Sequence, residues 1–198
     1  MRDLLLATTN MHKLEEYHSI FSDIPFRLLS LRDVQLDIDV EETGTTFAEN
    51  AQLKALAYAS ASGMLALADD SGLEIDALGG VPGIYSARFA GVGTSYAERF
   101  RLLLGQLQGL PMSQRTARFR CAIAIAEPSG YCGTVEGTLE GQIADAPRGD
   151  YGFGYDPIFL IPEAGKTTAE LLPEEKNRIS HRGRAAQLAA ALLRSWPE

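Results

Sequence analysis

The sequence predicts a mixed α/β fold, and three observations carry that prediction. The amino terminus reads as strand, loop and helix: Leu4-Leu5-Leu6-Ala7, then Thr8-Thr9-Asn10, then Leu14, Tyr17, Ile20 and Phe21 at helical spacing. Leu65-Ala66-Leu67-Ala68 is a short continuous apolar run, the pattern of a strand buried on both faces. Phe119, Cys121, Ile123 and Ile125 alternate with Arg118, Arg120, Ala122 and Ala124. Pro128-Ser129-Gly130 then turns that half-buried strand into an antiparallel neighbour over residues 131–139. Crossovers and hairpins in one chain make the sheet mixed.

The remaining elements follow in order. Asn10 is placed to cap the first helix, and residues 26–31 read as a second strand. Thr46-x-x-Glu49 is a capping box opening a helix over residues 47–62, with Gly63 as its stop. The central apolar run is expected to end in Asp69-Asp70, with Ser71-Gly72 turning sharply into an alternating strand over residues 73–78. Gly79-Gly80-Val81-Pro82-Gly83 is turn-rich, and Ser95-x-x-Glu98 caps a helix that runs to about residue 107. The last helix is expected to begin near Lys176, Ser180, His181 and Arg182, with Leu188 and Leu192 on its apolar face.

The composition narrows the function classes. The 198 residues suit a single domain over 1–198 that buries a real core, and no repeat or low-complexity linker marks a boundary. A net charge of −8 argues against a nucleic-acid partner, since such a protein depends on a basic face. It leaves room for a small anion, because a few clustered cations can reverse the local field. Cys121 and Cys132 lack metal-ligand spacing and read as reduced core thiols of a cytoplasmic protein. No signal peptide and no membrane span are evident.

Three clusters carry chemistry. Asp69 and Asp70 are neighbours on a strand, so they should face opposite sides and do different work. The acidic loop Asp37-Ile38-Asp39-Val40-Glu41-Glu42 packs four acids into six residues, which repel one another unless solvent or a divalent cation such as Mg²⁺ intervenes. Asn50 and Lys54, four apart, share one face of their helix, where they could meet solvent or line a cleft.

Lys13 in one first turn, and Lys176, His181 and Arg182 around another helix start, run against the helix dipole. One such case is an ordinary solvated cation; two favour a bound anion. Residues 149–156 hold three glycines and three aromatics, either an aromatic turn packed in the core or a stacking platform for a planar base. Phosphates, Mg²⁺ and a nucleobase would together satisfy the three clusters, which points to a nucleoside polyphosphate.

The order of motifs carries a resemblance. Thr8-x-Asn10-x-x-Lys13, Glu41-Glu42-Thr43-Gly44, Ala68-Asp69-Asp70-Ser71-Gly72, Gly79-Gly80-x-Pro82-Gly83, Phe153-Gly154-Tyr155-Asp156-Pro157 and Ser180-His181-Arg182 occur in that order. In them the chain resembles the inosine/xanthosine triphosphate pyrophosphatase family, from about residue 4 to residue 193. Thr9 stands where the family's Thr-Gly-Asn pattern has glycine, and a β-branched residue tolerates fewer backbone angles.

The resemblance implies hydrolysis of dITP, ITP and XTP to the monophosphate and pyrophosphate. It also implies an elongated mixed β-sheet flanked by helices, two lobes with the active cleft between them, and a homodimer. By position, Thr8, Thr9, Asn10, Met11, His12 and Lys13 would hold the phosphates, with Lys54 adding a charge. Asp70 would be the catalytic carboxylate and a Mg²⁺ ligand, with Glu41 rather than Glu42 as the second ligand. Ser71 would touch substrate, and Phe153, Gly154, Tyr155, Asp156, Lys176, His181 and Arg182 would form the base pocket. The rival readings are a pyrophosphatase of other nucleotide specificity and a non-catalytic nucleotide sensor; a carboxylate at Asp70 counts against the sensor.

Overall fold

The structure, a computed structural model, describes residues 2–196. Its strands are β1 (Arg2–Leu6), β2 (Phe26–Ser30), β3 (Ala66–Ile75), β4 (Val81–Pro82), β5 (Thr116–Ala126), β6 (Cys132–Ile143), β7 (Phe159–Ile161) and β8 (Lys166–Thr167). The helices are α1 (Met11–Ile20), α2 (Phe47–Ser62), α3 (Tyr96–Gln106), α4 (Pro173–Ile179) and α5 (His181–Arg194). Hydrogen bonds order the sheet β2-β1-β3-β5-β6-β7-β8, with β4 on β3. β1 is parallel to both β2 and β3, whereas β4, β7 and β8 pair antiparallel, so the mixed α/β class holds.

The helix starts form where the sequence places caps. Asn10 Oδ1 accepts from the N–H groups of His12 at 3.0 Å and Lys13 at 3.3 Å. Thr46 Oγ1 accepts from Glu49 N at 3.1 Å, and Gly63 closes α2 in the left-handed region. The Glu49 carboxylate reaches back to Thr45 N, one residue before the cap. Ser95 caps α3 in the same manner, through Glu98 N. Each cap satisfies an N–H that the helix leaves orphaned.

Three expectations fail. Ser71 and Gly72 do not turn: β3 runs unbroken from Ala66 to Ile75, and Gly72 is not among the positive-φ glycines. Asp69 and Asp70 therefore lie inside a strand rather than at its carboxyl end. Burial explains this, since residues 72 and 73 are covered and the extended chain finds partners for its backbone, Leu73 N donating to Ser86 Oγ at 2.9 Å. Lys176 belongs to α4, in its last turn, where a cation agrees with the dipole. In α5 the buried face is Ala185, Ala186, Ala189, Ala190 and Leu193, while Leu188 is exposed.

The chain divides into two compact units. One comprises residues 1–70, 121–137 and 181–198; the other comprises 71–120 and 138–180. In the first, Leu4, Leu6, Leu67, Ile123, Tyr17 and Phe21 form a core roofed by α1 and by the alanine face of α5. Small residues bring α5 close: a Cβ on Gly137 would run into the His181 carbonyl and the Ala185 amide. In the second, Leu73, Ile75, Leu103, Phe119 and Phe159 make a separate core, with the Phe119 and Phe159 rings 4.3 Å apart.

The two cysteines are free and unlike each other. Cys121 is buried in the first core, and burial pushes its thiol up to about 12. Cys132, expected in the core, is only partly covered at the start of β6. A thiolate is the reactive species, so the native protein at pH 8 should react with Ellman's reagent at Cys132 alone. Cys121 should follow only on unfolding; prompt release of both in native buffer would contradict the packing.

Candidate active site

The site is built on opposite faces of one strand. Asp69 and Asp70 both lie in β3 and both are buried, at 3% and 7% exposure. Side chains of consecutive strand residues diverge, so each acid meets a different set of partners.

Asp70 faces α2. Asn50 and Lys54, one helical turn apart, both reach it: Asn50 Nδ2 donates to Oδ2 at 3.2 Å, and Lys54 Nζ lies 3.5 Å from Oδ1. The Asn50 carbonyl oxygen accepts from Gly44 N at 2.8 Å, which stitches the acidic loop to the helix. Glycine is required there, because a Cβ would sit 2.6 Å from Asn50 Oδ1. Lys54 Nζ also bonds Glu42 Oε1 at 2.6 Å.

Burial raises the Asp70 pKa above the usual carboxylate range; Lys54 opposes this and Glu42 adds to it. Burial works against the charge on Lys54, but Asp70, Asp69 and Glu42 outweigh it and leave its pKa raised. A carboxylate with increased proton affinity beside a fixed ammonium can accept a proton from a water.

Asp69 faces the other way, into cations. Lys13 Nζ is 2.8 Å from Asp69 Oδ2, and Arg182 Nη2 is 3.6 Å from the same oxygen. Arg182 Nη1 bonds Glu16 Oε2 at 2.6 Å, and Cys121 Sγ lies 3.8 Å from Asp69 Oδ2. Burial alone would raise the Asp69 pKa; Lys13, Arg182 and Lys54 overcome it and hold the carboxyl far below its usual range. Two carboxylates and two cations balance to zero charge, the condition under which a buried ionic cluster is tolerable. Lys13, which the sequence reading placed against the helix dipole in search of an external anion, therefore has a protein anion already.

The loop before α1 is ordered by its own side chains: Thr8 Oγ1 accepts from Asn10 N at 3.2 Å, ahead of the Asn10 cap. Thr9 is not among the positive-φ residues, so the loop holds a β-branched side chain without left-handed strain. An open pocket of about 420 Å³ beside it is lined by Thr8, Thr9, Met11, Leu31, Arg32 and Gln35. His12 is exposed at the helix start, within 3.9 Å of Glu15.

The other unit carries a second cluster. Asp156 Oδ2 accepts from Lys176 Nζ at 2.6 Å and Phe153 N at 2.8 Å, while Oδ1 accepts from Thr168 Oγ1 at 2.8 Å. Lys176 Nζ lies 4.9 Å from the centre of the Phe153 ring. Gly152, at φ +74°, is forced: a Cβ would run into the Asp156 carboxylate. Tyr155 is a core residue, its hydroxyl donating to Ser86 O at 2.9 Å and its ring edge-on to Tyr96. Gly154 completes the turn at φ +64°. Ser180 caps α4, Ser71 is partly exposed, and His181 is buried at the start of α5.

The residues that the resemblance assigned are thus found in two sets. In one unit Lys54 reaches Asp70, while Lys13 and Arg182 meet at Asp69, a residue the resemblance did not assign; in the other, Phe153, Asp156 and Lys176 converge. The sequence reading missed three positions. Asn50 was noted only for sharing a face with Lys54, and Glu16 and Thr168 gave no local signal because their partners are distant in sequence.

Among the described residues no cluster of three metal-ligating side chains occurs. Hard oxygen donors are nevertheless present at Asp70, Glu41 and Glu42, and Glu42 is engaged by Lys54. Glu41 is exposed and forms no ion pair among the described residues. Carboxylates are the donor type Mg²⁺ takes, an ion that keeps waters and completes its shell with substrate phosphates.

The fold and site define a mixed α/β protein with two buried aspartates on one strand, each met by cations. The chain belongs to the Ham1 family, whose sequence profile matches residues 4–192. It is 52% identical to a dITP/XTP pyrophosphatase of Geobacillus kaustophilus, over 93% of this chain and 91% of that protein. Against the dITP/XTP pyrophosphatase of Bacillus subtilis the identity is 47%, covering 98% of each chain. The solved structure of a HAM1 protein from Coxiella burnetii superposes with a TM-score of 0.90 at 43% identity, covering 98% of this chain and all of that one.

The depressed Asp69 pKa sets the sign of a pH effect. A carboxylate stabilised in its charged form contributes fully above its unfolded pKa of about 3.9, and that contribution fades as pH falls towards the folded value. The difference in Tm between the native protein and Asp69→Asn should therefore be largest near neutrality and shrink below about pH 4. A gap independent of pH would mean that Asp69 is not held as a carboxylate.

Proposed function

We propose that this chain hydrolyses non-standard purine nucleoside triphosphates, dITP, ITP and XTP, to the monophosphate and pyrophosphate. The observation that carries the reading is Asp70, buried, raised in pKa and held from two sides by Asn50 and Lys54. A sensor without chemistry has no use for a buried carboxylate kept near proton-accepting conditions.

Asn50 fixes the Asp70 carboxylate through Oδ2, and that carboxylate receives the proton of an attacking water. The water oxygen bonds to the α-phosphorus, the bond from that phosphorus to the bridging oxygen breaks, and pyrophosphate leaves with the electron pair. Thr8 to Lys13 bind the phosphate tail through the N–H groups and charge at the start of α1, and Lys54 adds a second ammonium. Mg²⁺ would be held by Asp70 and Glu41, and it would neutralise the charge of the triphosphate.

Base recognition is assigned to Phe153 and Lys176. Phe153 offers an aromatic face, and Lys176 is a donor suited to the 6-keto oxygen of hypoxanthine and xanthine. Adenine would present a 6-amino donor to that ammonium, a mismatch that sites of this kind reject strongly. Asp156 holds both residues in place and Tyr155 anchors their turn in the core. His181 and Arg182 orient the start of α5. The homodimer rests on the family resemblance, and a cytoplasmic setting on the two free cysteines.

The test is product analysis with ITP and Mg²⁺. IMP with pyrophosphate is expected; IDP with phosphate, or no turnover, overturns the reading. Excess EDTA should abolish turnover. Asp70→Asn should lose at least about 10²-fold in kcat, the scale of one general base, while keeping a native Tm. Near-normal kcat in that variant would move the proton acceptor elsewhere.

A further inference from the structure

Asp69 does not face Asp70's partners, yet it binds a residue of the phosphate loop and a residue of α5 through one oxygen. We infer that Asp69 is a positioning residue for the hydrolysis, holding the Lys13 ammonium at the start of α1 in the orientation that receives the phosphate tail. This rests on the proposed phosphate role of Lys13.

Three features support it beyond simple core packing. Lysine carries four rotatable bonds and would lose substantial rotamer entropy on meeting a phosphate; a 2.8 Å ion pair holds it before substrate arrives. Asp69 is itself immobile, since it belongs to a buried strand and its Oδ2 is also approached by Arg182 and by the Cys121 thiol. Arg182 is in turn fastened to Glu16 of α1, so the chain of contacts Glu16–Arg182–Asp69–Lys13 begins and ends on the same helix. That closed circuit ties the first turn of α1 to β3 and α5. A carboxylate serving only stability could be met by any one of these cations; here it is shared by two, one of them in the phosphate loop.

Asp69→Asn leaves Lys13 and Arg182 against a single carboxylate and is expected to lower Tm, whereas Lys13→Met/Asp69→Asn leaves the neutral Arg182–Glu16 pair. The experiment therefore measures kcat/KM for ITP and the affinity for pyrophosphate in Lys13→Met, Asp69→Asn and the double variant, each below its own Tm. Lys13→Met and Asp69→Asn are each expected to lose about ten-fold or more in kcat/KM, on the scale of one charge-assisted contact, and to bind pyrophosphate more weakly. The double variant is expected to match Lys13→Met within about two-fold, because Asp69 acts through Lys13. If the double variant falls about a further ten-fold below Lys13→Met, or if folded Asp69→Asn keeps native kinetics, the positioning role is overturned. If Lys13→Met itself keeps native kinetics and pyrophosphate affinity, the phosphate role of Lys13 fails, and that outcome is distinguishable from the others.

Discussion

The structure depends on a constraint of strand geometry: two adjacent side chains cannot face the same side. Asp69 and Asp70 are adjacent, and the protein makes use of their divergence. One acid is driven into two cations, which favour its ionised form; the other is buried beside an amide, an ammonium and a further carboxylate, and becomes easier to protonate. Chemically identical groups thus acquire different roles, set by which helices pack on each face of β3. On the Asp70 face it is α2, through Asn50 and Lys54; on the Asp69 face it is α1 and α5, through Lys13 and Arg182.

The second unit repeats the logic with one carboxylate. Asp156 spends its oxygens on a lysine, a backbone N–H and a threonine hydroxyl, so it works as an anchor whose product is the placement of Lys176 over the Phe153 ring. Glycines at 149 and 152 allow this, because side chains there would occupy the space of Ala169 and Asp156. In each unit a lysine assigned to the substrate is held by a buried carboxylate of the same unit, which pre-organises it.

Local chemistry was legible in the sequence, and long-range pairing was not. Asn10, Thr46 and Ser95 cap helices as read, because a cap is decided within four residues. Asn50 and Lys54 could be placed on one stripe, though not aimed at Asp70. Ser71-Gly72 misled, since turn preference is weak beside the demand of a buried backbone for hydrogen-bond partners. The seven-residue α4 is too short for periodicity to reveal, and so Lys176 was read at the wrong end of a helix. Lys13 marks the limit most clearly: its position against the dipole signals an anion, and the fold supplies one in Asp69 that no local pattern could name. Function was recovered from the order of six motifs, which no single cluster would have carried.

Carbon-13 NMR titration of the aspartate carboxyls in the metal-free protein tests whether β3 separates an aspartate with a lowered pKa from one with a raised pKa. The single Asp→Asn variants assign the two resonances. Asp69 should show no titration down to acid unfolding, and Asp70 should titrate above the ordinary value of about 3.9. Two resonances titrating together near that value, or the reverse assignment, would contradict the account.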